Sequence, residues 1–225
     1  MKSLIISSHE ANIEKVILLV GAYLLVLLLA TTIDIVVWRK LNSKISPWLN
    51  LIILIALNLL FIILLVQKTN FKINILHNIS PMGILLALGC SILFYLLLDK
   101  GLDPFFAKMF PKSEGNYKEA INILGQAPIP SFIYVSILGP AVEEILMRGY
   151  VLGGLQNRYG IIIALLISSI LFALMHFNMV QTLSAFICGL ILGLLYINTG
   201  SIFCCILAHS LYNAISYFTS ILGNR

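Results

Sequence analysis

The sequence predicts an all-α fold: a polytopic bundle of about seven transmembrane helices in one membrane domain. Three observations lead there. Of 225 residues, 60% are apolar and only 10% charged, with a mean hydropathy of +1.02, whereas a soluble domain is about 25% charged. The apolar residues fall in runs that match a bilayer core about 30 Å thick, which takes roughly 20 helical residues to cross. Those runs are continuous rather than alternating, which selects helices over barrel strands. Composition thereby excludes a soluble globular enzyme, a disordered chain and a nucleic-acid binder. The formal charge of +5 is spread along the chain and makes no basic patch.

The predicted spans are Val16–Val37, Leu49–Val66, Ile79–Leu98, Ser131–Leu152, Ile161–Phe177, Met179–Ile197 and Ser201–Leu222. The first is too long and too late for a cleaved signal, lacks an Ala-x-Ala site and runs into Arg39 and Lys40, so it stays in the mature protein. Lys15, Tyr23, Trp48 and Tyr196 stand at span ends and suit interfacial anchoring. Asp99–Pro130 is the long connector. Its start, Asp103–Phe110, is amphipathic and suits the interface, and Tyr117–Leu124 suits a second short helix. Arg39, Lys40, Lys44, Lys100, Lys108, Lys112, Lys118 and Arg225 fall on one side. Lys2, Lys15, Lys68, Lys72 and Arg158 fall on the other. The positive-inside rule puts the first set in the cytoplasm and the N-terminus outside. Cys90, Cys188, Cys204 and Cys205 all lie in spans without CxxC spacing, as small buried apolar residues. The chain divides into residues 1–128, three spans with the connector, and residues 129–225, four spans.

Charge within the spans carries the functional signal. Asp34 sits near a helix end, where it can reach headgroups. Glu143, Glu144 and Arg148 lie within six residues in span four. Each charge at the bilayer centre costs roughly 2.5–3.5 kcal/mol on insertion scales, so a retained cluster points to use. Glu144 and Arg148 are four apart and share a helix face. Glu143 is turned by about 100° and is less well placed for that arginine. One carboxylate then serves as counter-ion and the other is free. Pro140 removes a helical bond to the Ser136 carbonyl, as happens where backbone lines a cavity.

Two more helix-spaced pairs follow: Phe172 with His176 in span five, and His209 with Asn213 in span seven. At 1.5 Å per residue, Glu143, His176, His209 and Asn213 fall within a band about 11 Å tall, provided their helices are neighbours. Gly189 and Gly193 in span six have the small-residue spacing of close helix packing. A glutamate and a histidine converging on one water can make it a nucleophile. A second histidine and an asparagine amide can stabilise an oxyanion. Ser168, Ser169 and Ser210 lack the Gly-x-Ser-x-Gly setting of a serine nucleophile. Glu143, His176, His209 and Asn213 are also potential ligands for a divalent metal such as zinc, although no His-Glu-x-x-His is present. Two other readings stand beside hydrolysis: a proton-coupled carrier, and a non-catalytic immunity or scaffold protein.

Glu143-Glu144-Ile145-Leu146-Met147-Arg148, Phe172–His176 and His209–Asn213 reproduce, in order, the EExxxR, FxxxH and HxxxN motifs of one family. Over roughly Ile129–Tyr217 the chain resembles the CPBP family of intramembrane proteases, also called the Abi or CAAX-protease family. The resemblance implies a multi-pass cell-membrane endopeptidase whose site opens to the cytoplasm, acting on a membrane-associated peptide or protein. It implies that Glu143 is the general base, that His176 assists it, and that His209 and Asn213 line the oxyanion site. Glu144 and Arg148 would support the architecture and tune Glu143. Whether a metal is required is disputed for the family, and no obligatory ion is expected here. Bacterial roles implied are peptide processing, bacteriocin maturation and self-immunity. The chain ends Gly223-Asn224-Arg225 rather than in a CAAX box, so it would process such substrates rather than be one.

Overall fold

The computed structural model describes residues 9–42 and 44–223. Lys2, Asn224 and Arg225, used above for orientation and for the chain end, lie outside them. The architecture is an all-helical bundle with six helices long and apolar enough to cross a membrane and one shorter apolar helix. In chain order the helices are α1 (Ile13–Trp38), α2 (Ser46–Lys68), α3 (Pro81–Met109), α4 (Pro111–Gln126), α5 (Pro128–Tyr159), α6 (Ile161–Leu174), α7 (Met179–Thr199) and α8 (Ile202–Gly223).

Local chemistry sets the boundaries. Asn12, Ser80 and Asn178 cap α1, α3 and α7 by accepting first-turn amides on their side chains. Pro81, Pro111 and Pro128 open α3, α4 and α5, where a missing N–H costs nothing. Gly160 (φ 80°) separates α5 from α6, and Gly200 (φ 67°) ends α7. Both need the left-handed region that glycine enters freely.

Several helices outrun their apolar windows. α3 continues from Leu98 through a widened π-type stretch, Tyr95–Leu102, to Met109. Asp103–Phe110 is therefore the end of α3 rather than a separate interfacial helix. Charge does not stop a helix when its side chains find partners. Asp99 accepts from the Tyr212 hydroxyl (2.7 Å) and Asp103 from Ser184. α6 is instead short. Its 14 residues rise about 21 Å, less than a full hydrocarbon core.

Two other expectations are corrected. Asp34 does not reach for headgroups: it is 1% exposed and accepts from Arg39 Nε (2.8 Å) and Ser46 Oγ (2.7 Å). An internal partner on each oxygen replaces solvation. Tyr23 and Tyr196 are not surface anchors but buried, and the Tyr23 hydroxyl donates to Asn58 Oδ1 across α1 and α2 (2.7 Å). Trp48 remains exposed, as an anchor requires. Cys188, Cys204 and Cys205 are buried and unbridged.

α6 packs between α5 and α7, and α8 packs against α3, α5 and α7. This places the motif-bearing helices side by side. At Gly189 α7 runs close to the backbone of α6: a Cβ there would lie 3.1 Å from the Ser169 Cα. Backbone cannot rotate aside as a side chain can. Gly189→Ala is therefore expected to lower stability by about 1–3 kcal/mol, read as a depressed Tm of the purified protein.

The segment before α1 docks on the end of α5. His9 Nε2 donates to the Tyr150 carbonyl (3.0 Å), its ring stacks on Tyr150, and the Ala11 N–H donates to Gly154 O (3.0 Å). Burial lowers the His9 pKa from 6.5. A lowered pKa means that the undocked segment takes up a proton first as pH falls. Docking is fully stabilising above 6.5 and weakens as pH drops below it. Tm is expected to fall between about pH 8 and pH 5.5, and to fall less for His9→Phe.

Candidate active site

The site is assembled from α5, α6 and α8. On α5, Glu144 is the last residue before a second π-type stretch, Ile145–Leu152, whose every residue is buried. Such widened turns often accompany functional sites. The turn is prepared upstream: Pro140 cannot donate, and the helix is already π-type over Tyr134–Leu138, with the Gly139 N–H reaching back to Tyr134 O.

The two adjacent glutamates have opposite environments. Glu144 is fully buried, and its Oε1 accepts from Arg148 Nη1 (3.0 Å) and from His209 Nδ1 (2.9 Å). Arg148, also fully buried, donates from Nη2 to the Gly189 carbonyl (3.1 Å) and lies 4.8 Å from the Phe172 ring centroid. Glu143 keeps 22% side-chain exposure and faces a cavity, with Oε2 4.0 Å from His209 Nε2. Glu144 thus meets Arg148, the partner that the four-residue spacing gives it.

His176 lies beyond the helix that the spacing predicted for it. α6 ends at Leu174, and His176 occupies the turn that follows. Its Nδ1 donates to the Phe172 carbonyl (3.1 Å). A carbonyl only accepts, so Nδ1 carries the proton and Nε2 is left as an acceptor. The side chain therefore caps the helix end and fixes its own tautomer. Asn213 on α8 donates from Nδ2 to the Val135 carbonyl (2.9 Å), holding α8 to α5. Phe172 turns its edge relation to both histidines, with ring centroids 5.3 Å from His176 and 5.6 Å from His209.

Glu143, His176, His209 and Asn213 line one cavity of about 660 Å³. Glu144 and Arg148 stand behind it. Asp99, Asp103, Ser184 and Tyr212 also line it, and sequence reasoning missed them by assigning Asp99 onward to a connector. The available signal was two carboxylates four residues apart at the end of an apolar run, which share a helix face. Among the described residues, no group of three His, Cys, Asp or Glu side chains is placed to hold a metal ion.

Residues 125–215 match the family model described as type II CAAX prenyl endopeptidase Rce1-like. Over that segment the chain is similar to this family of membrane endopeptidases. All seven motif residues, from Glu143 to Asn213, fall inside the matched segment. The chain is also 27% identical over 136 residues to the "Putative membrane peptidase YdiL" of Bacillus subtilis (strain 168), covering 56% of this chain and 55% of that protein. It is 46% identical over 56 residues to the "UPF0177 protein YxdF" of Lactococcus lactis subsp. lactis (strain IL1403), covering 24% of this chain and 30% of that protein. The chain thus matches about half the length of one relative and less than a third of the other. No solved structure matches it. The helices and the similarity together establish a multi-pass membrane protein.

Proposed function

We propose that this protein is an intramembrane endopeptidase that hydrolyses a peptide bond with a water activated by Glu143. The observation that carries the reading is the division of labour between adjacent carboxylates. Glu144 is neutralised by Arg148 and His209, while Glu143 faces the cavity. A base must be ionised, reachable by water and within reach of the atom that it deprotonates. Glu143 alone of the pair lines the cavity.

In this mechanism Glu143 takes a proton from water as the hydroxide forms its bond to the scissile carbonyl carbon. His176 Nε2 accepts a hydrogen bond from the same water and orients it. The oxyanion is held by Asn213, whose second amide hydrogen is not engaged by Val135 O, and by His209 Nε2. Because Nδ1 of His209 donates to Glu144, donation from Nε2 as well requires the ring to carry both protons. Collapse of the tetrahedral intermediate breaks the C–N bond, and the proton held by Glu143 passes to the leaving amine.

The substrate is a membrane-associated peptide or protein. The family description points to prenylated CAAX tails; leader-peptide processing, bacteriocin maturation and self-immunity are the other members of the class. The test compares wild type with Glu143→Gln. A farnesylated CAAX peptide is offered to each protein in liposomes, and new N-termini are catalogued in membranes of cells expressing each. Cleavages made by wild type and absent from Glu143→Gln support the reading and name the substrate. Equal cleavage by both would sink it.

A further inference from the structure

One wall of the cavity has no part in this chemistry. It is α4, and along it Ser113, Glu114, Tyr117, Ile121 and Leu124 form one half-buried stripe, while none of its residues is fully buried. All of these but Ser113 line the cavity. Both ends of α4 are joints. Phe110 (φ −127°, ψ 64°) and Ala127 (φ −135°, ψ 67°) leave the helical region. Each precedes a proline, which disfavours helix at the residue before it. Gly115 and Gly125 stand on the outward face, with no neighbouring atom within 4 Å of where a Cβ would stand. Beyond the second joint the chain is tied down again, by Tyr217 donating to the Pro128 carbonyl (2.8 Å).

The N-terminal end of α4 is fastened to the turn after α6, and Tyr117, one turn on, meets Ser220 of α8 by a side-chain hydrogen bond. Asn178 Nδ2 donates to the Ser113 carbonyl (2.7 Å) and the Met179 N–H donates to Ser113 Oγ (3.2 Å). Asn178 stands two residues beyond His176, in the same turn. The clasp on the wall and the proposed water-orienting histidine therefore share one short piece of backbone.

We propose that α4 is a hinged lid on the cavity, latched through Ser113 to the turn that carries His176, and that a substrate segment enters by displacing it. The inference rests on the reading of the cavity as a peptidase site. A hydrolytic site needs an enclosure that keeps the reaction from bulk surroundings and yet opens to admit a chain, and lids of this kind move as rigid elements on hinges. Two prolines make the hinges, and the latch ties closure to the placement of His176.

The experiment closes the latch covalently. Ser113→Cys/Met179→Cys, two positions outside the catalytic set, is joined by a short reducible bis-methanethiosulfonate linker. The parent protein, whose own four cysteines remain, is treated in parallel. Two readouts are taken: Glu143-dependent cleavage, and the rate at which a water-soluble maleimide modifies Cys188 in the cavity wall, located by mass spectrometry. Cross-linking is expected to slow both by about tenfold or more, with recovery after dithiothreitol. Ser113→Ala, which removes one latch bond, is expected to speed Cys188 modification. Unchanged cleavage and unchanged Cys188 modification in the linked protein would overturn the lid. If Glu143→Gln cleaves like wild type, the peptidase reading fails instead, and Cys188 modification alone then decides whether α4 is a lid.

Discussion

Purified Glu143→Gln protein is expected to cleave its substrate about 10²–10⁴-fold more slowly than wild type, the range that a positioned general base contributes. The substitution preserves shape and removes only the basic oxygen. Its fold should survive, because the Glu143 side chain is partly exposed and its nearest charged partner, His209 Nε2, is 4.0 Å away. Tm is therefore expected within about 0.5 kcal/mol equivalent of wild type, as for substitutions away from buried networks. The comparison with Glu144→Gln is informative. That change leaves the cavity-facing carboxylate intact but weakens the partner of both Arg148 and His209. Loss of activity there should come with a depressed Tm, whereas loss in Glu143→Gln should not. A Glu143→Gln enzyme within a few-fold of wild type would remove Glu143 from the mechanism.

Arg148→Met is expected to destabilise the fold by about 3–5 kcal/mol, the cost of leaving a buried charge without its partner. Arg148 holds three elements at once: Glu144 on its own helix, the Gly189 carbonyl on α7 and the Phe172 ring on α6. Methionine fills much of the volume and provides none of the donors. The double variant Glu144→Gln/Arg148→Met should recover part of the loss, because it removes the stranded carboxylate along with the guanidinium. Arg148→Lys should not restore wild-type stability, since a single ammonium cannot reproduce two directed N–H bonds and a planar face on Phe172. Unfolding of the solubilised protein, followed as Tm, checks the order. An Arg148→Met protein as stable as wild type would show that the buried pair contributes nothing net.

The particular residues explain what could be read in advance. Long apolar runs are local, so α1, α2, α3, α5, α7 and α8 were legible within a few residues at most ends. The three motifs were legible because buried charge and helix-spaced histidines stand out against leucine and isoleucine. Boundaries were less legible where a polar residue had a distant partner. Asp99 and Asp103 looked like the end of a span because Tyr212 and Ser184, which receive them, are 113 and 81 residues away. Asp34 looked like a headgroup contact because Ser46 lies across a turn on the next helix. His176 looked helical because four-residue spacing does not reveal that its own ring caps the helix end.

By itself the sequence determined the class of environment, the approximate spans, a family resemblance and the short list of polar residues that a membrane protein would not keep without use. Hydropathy and i,i+4 spacing are properties of neighbouring residues along one chain, so no third dimension is needed to read them. Only the tertiary structure decided that His209 joins Arg148 on Glu144, that Glu143 meets a cavity, and that α4 forms a wall beside it. A helix presents each residue to a different neighbour every 100° or so, and a buried polar group takes its meaning from the partner it finds there.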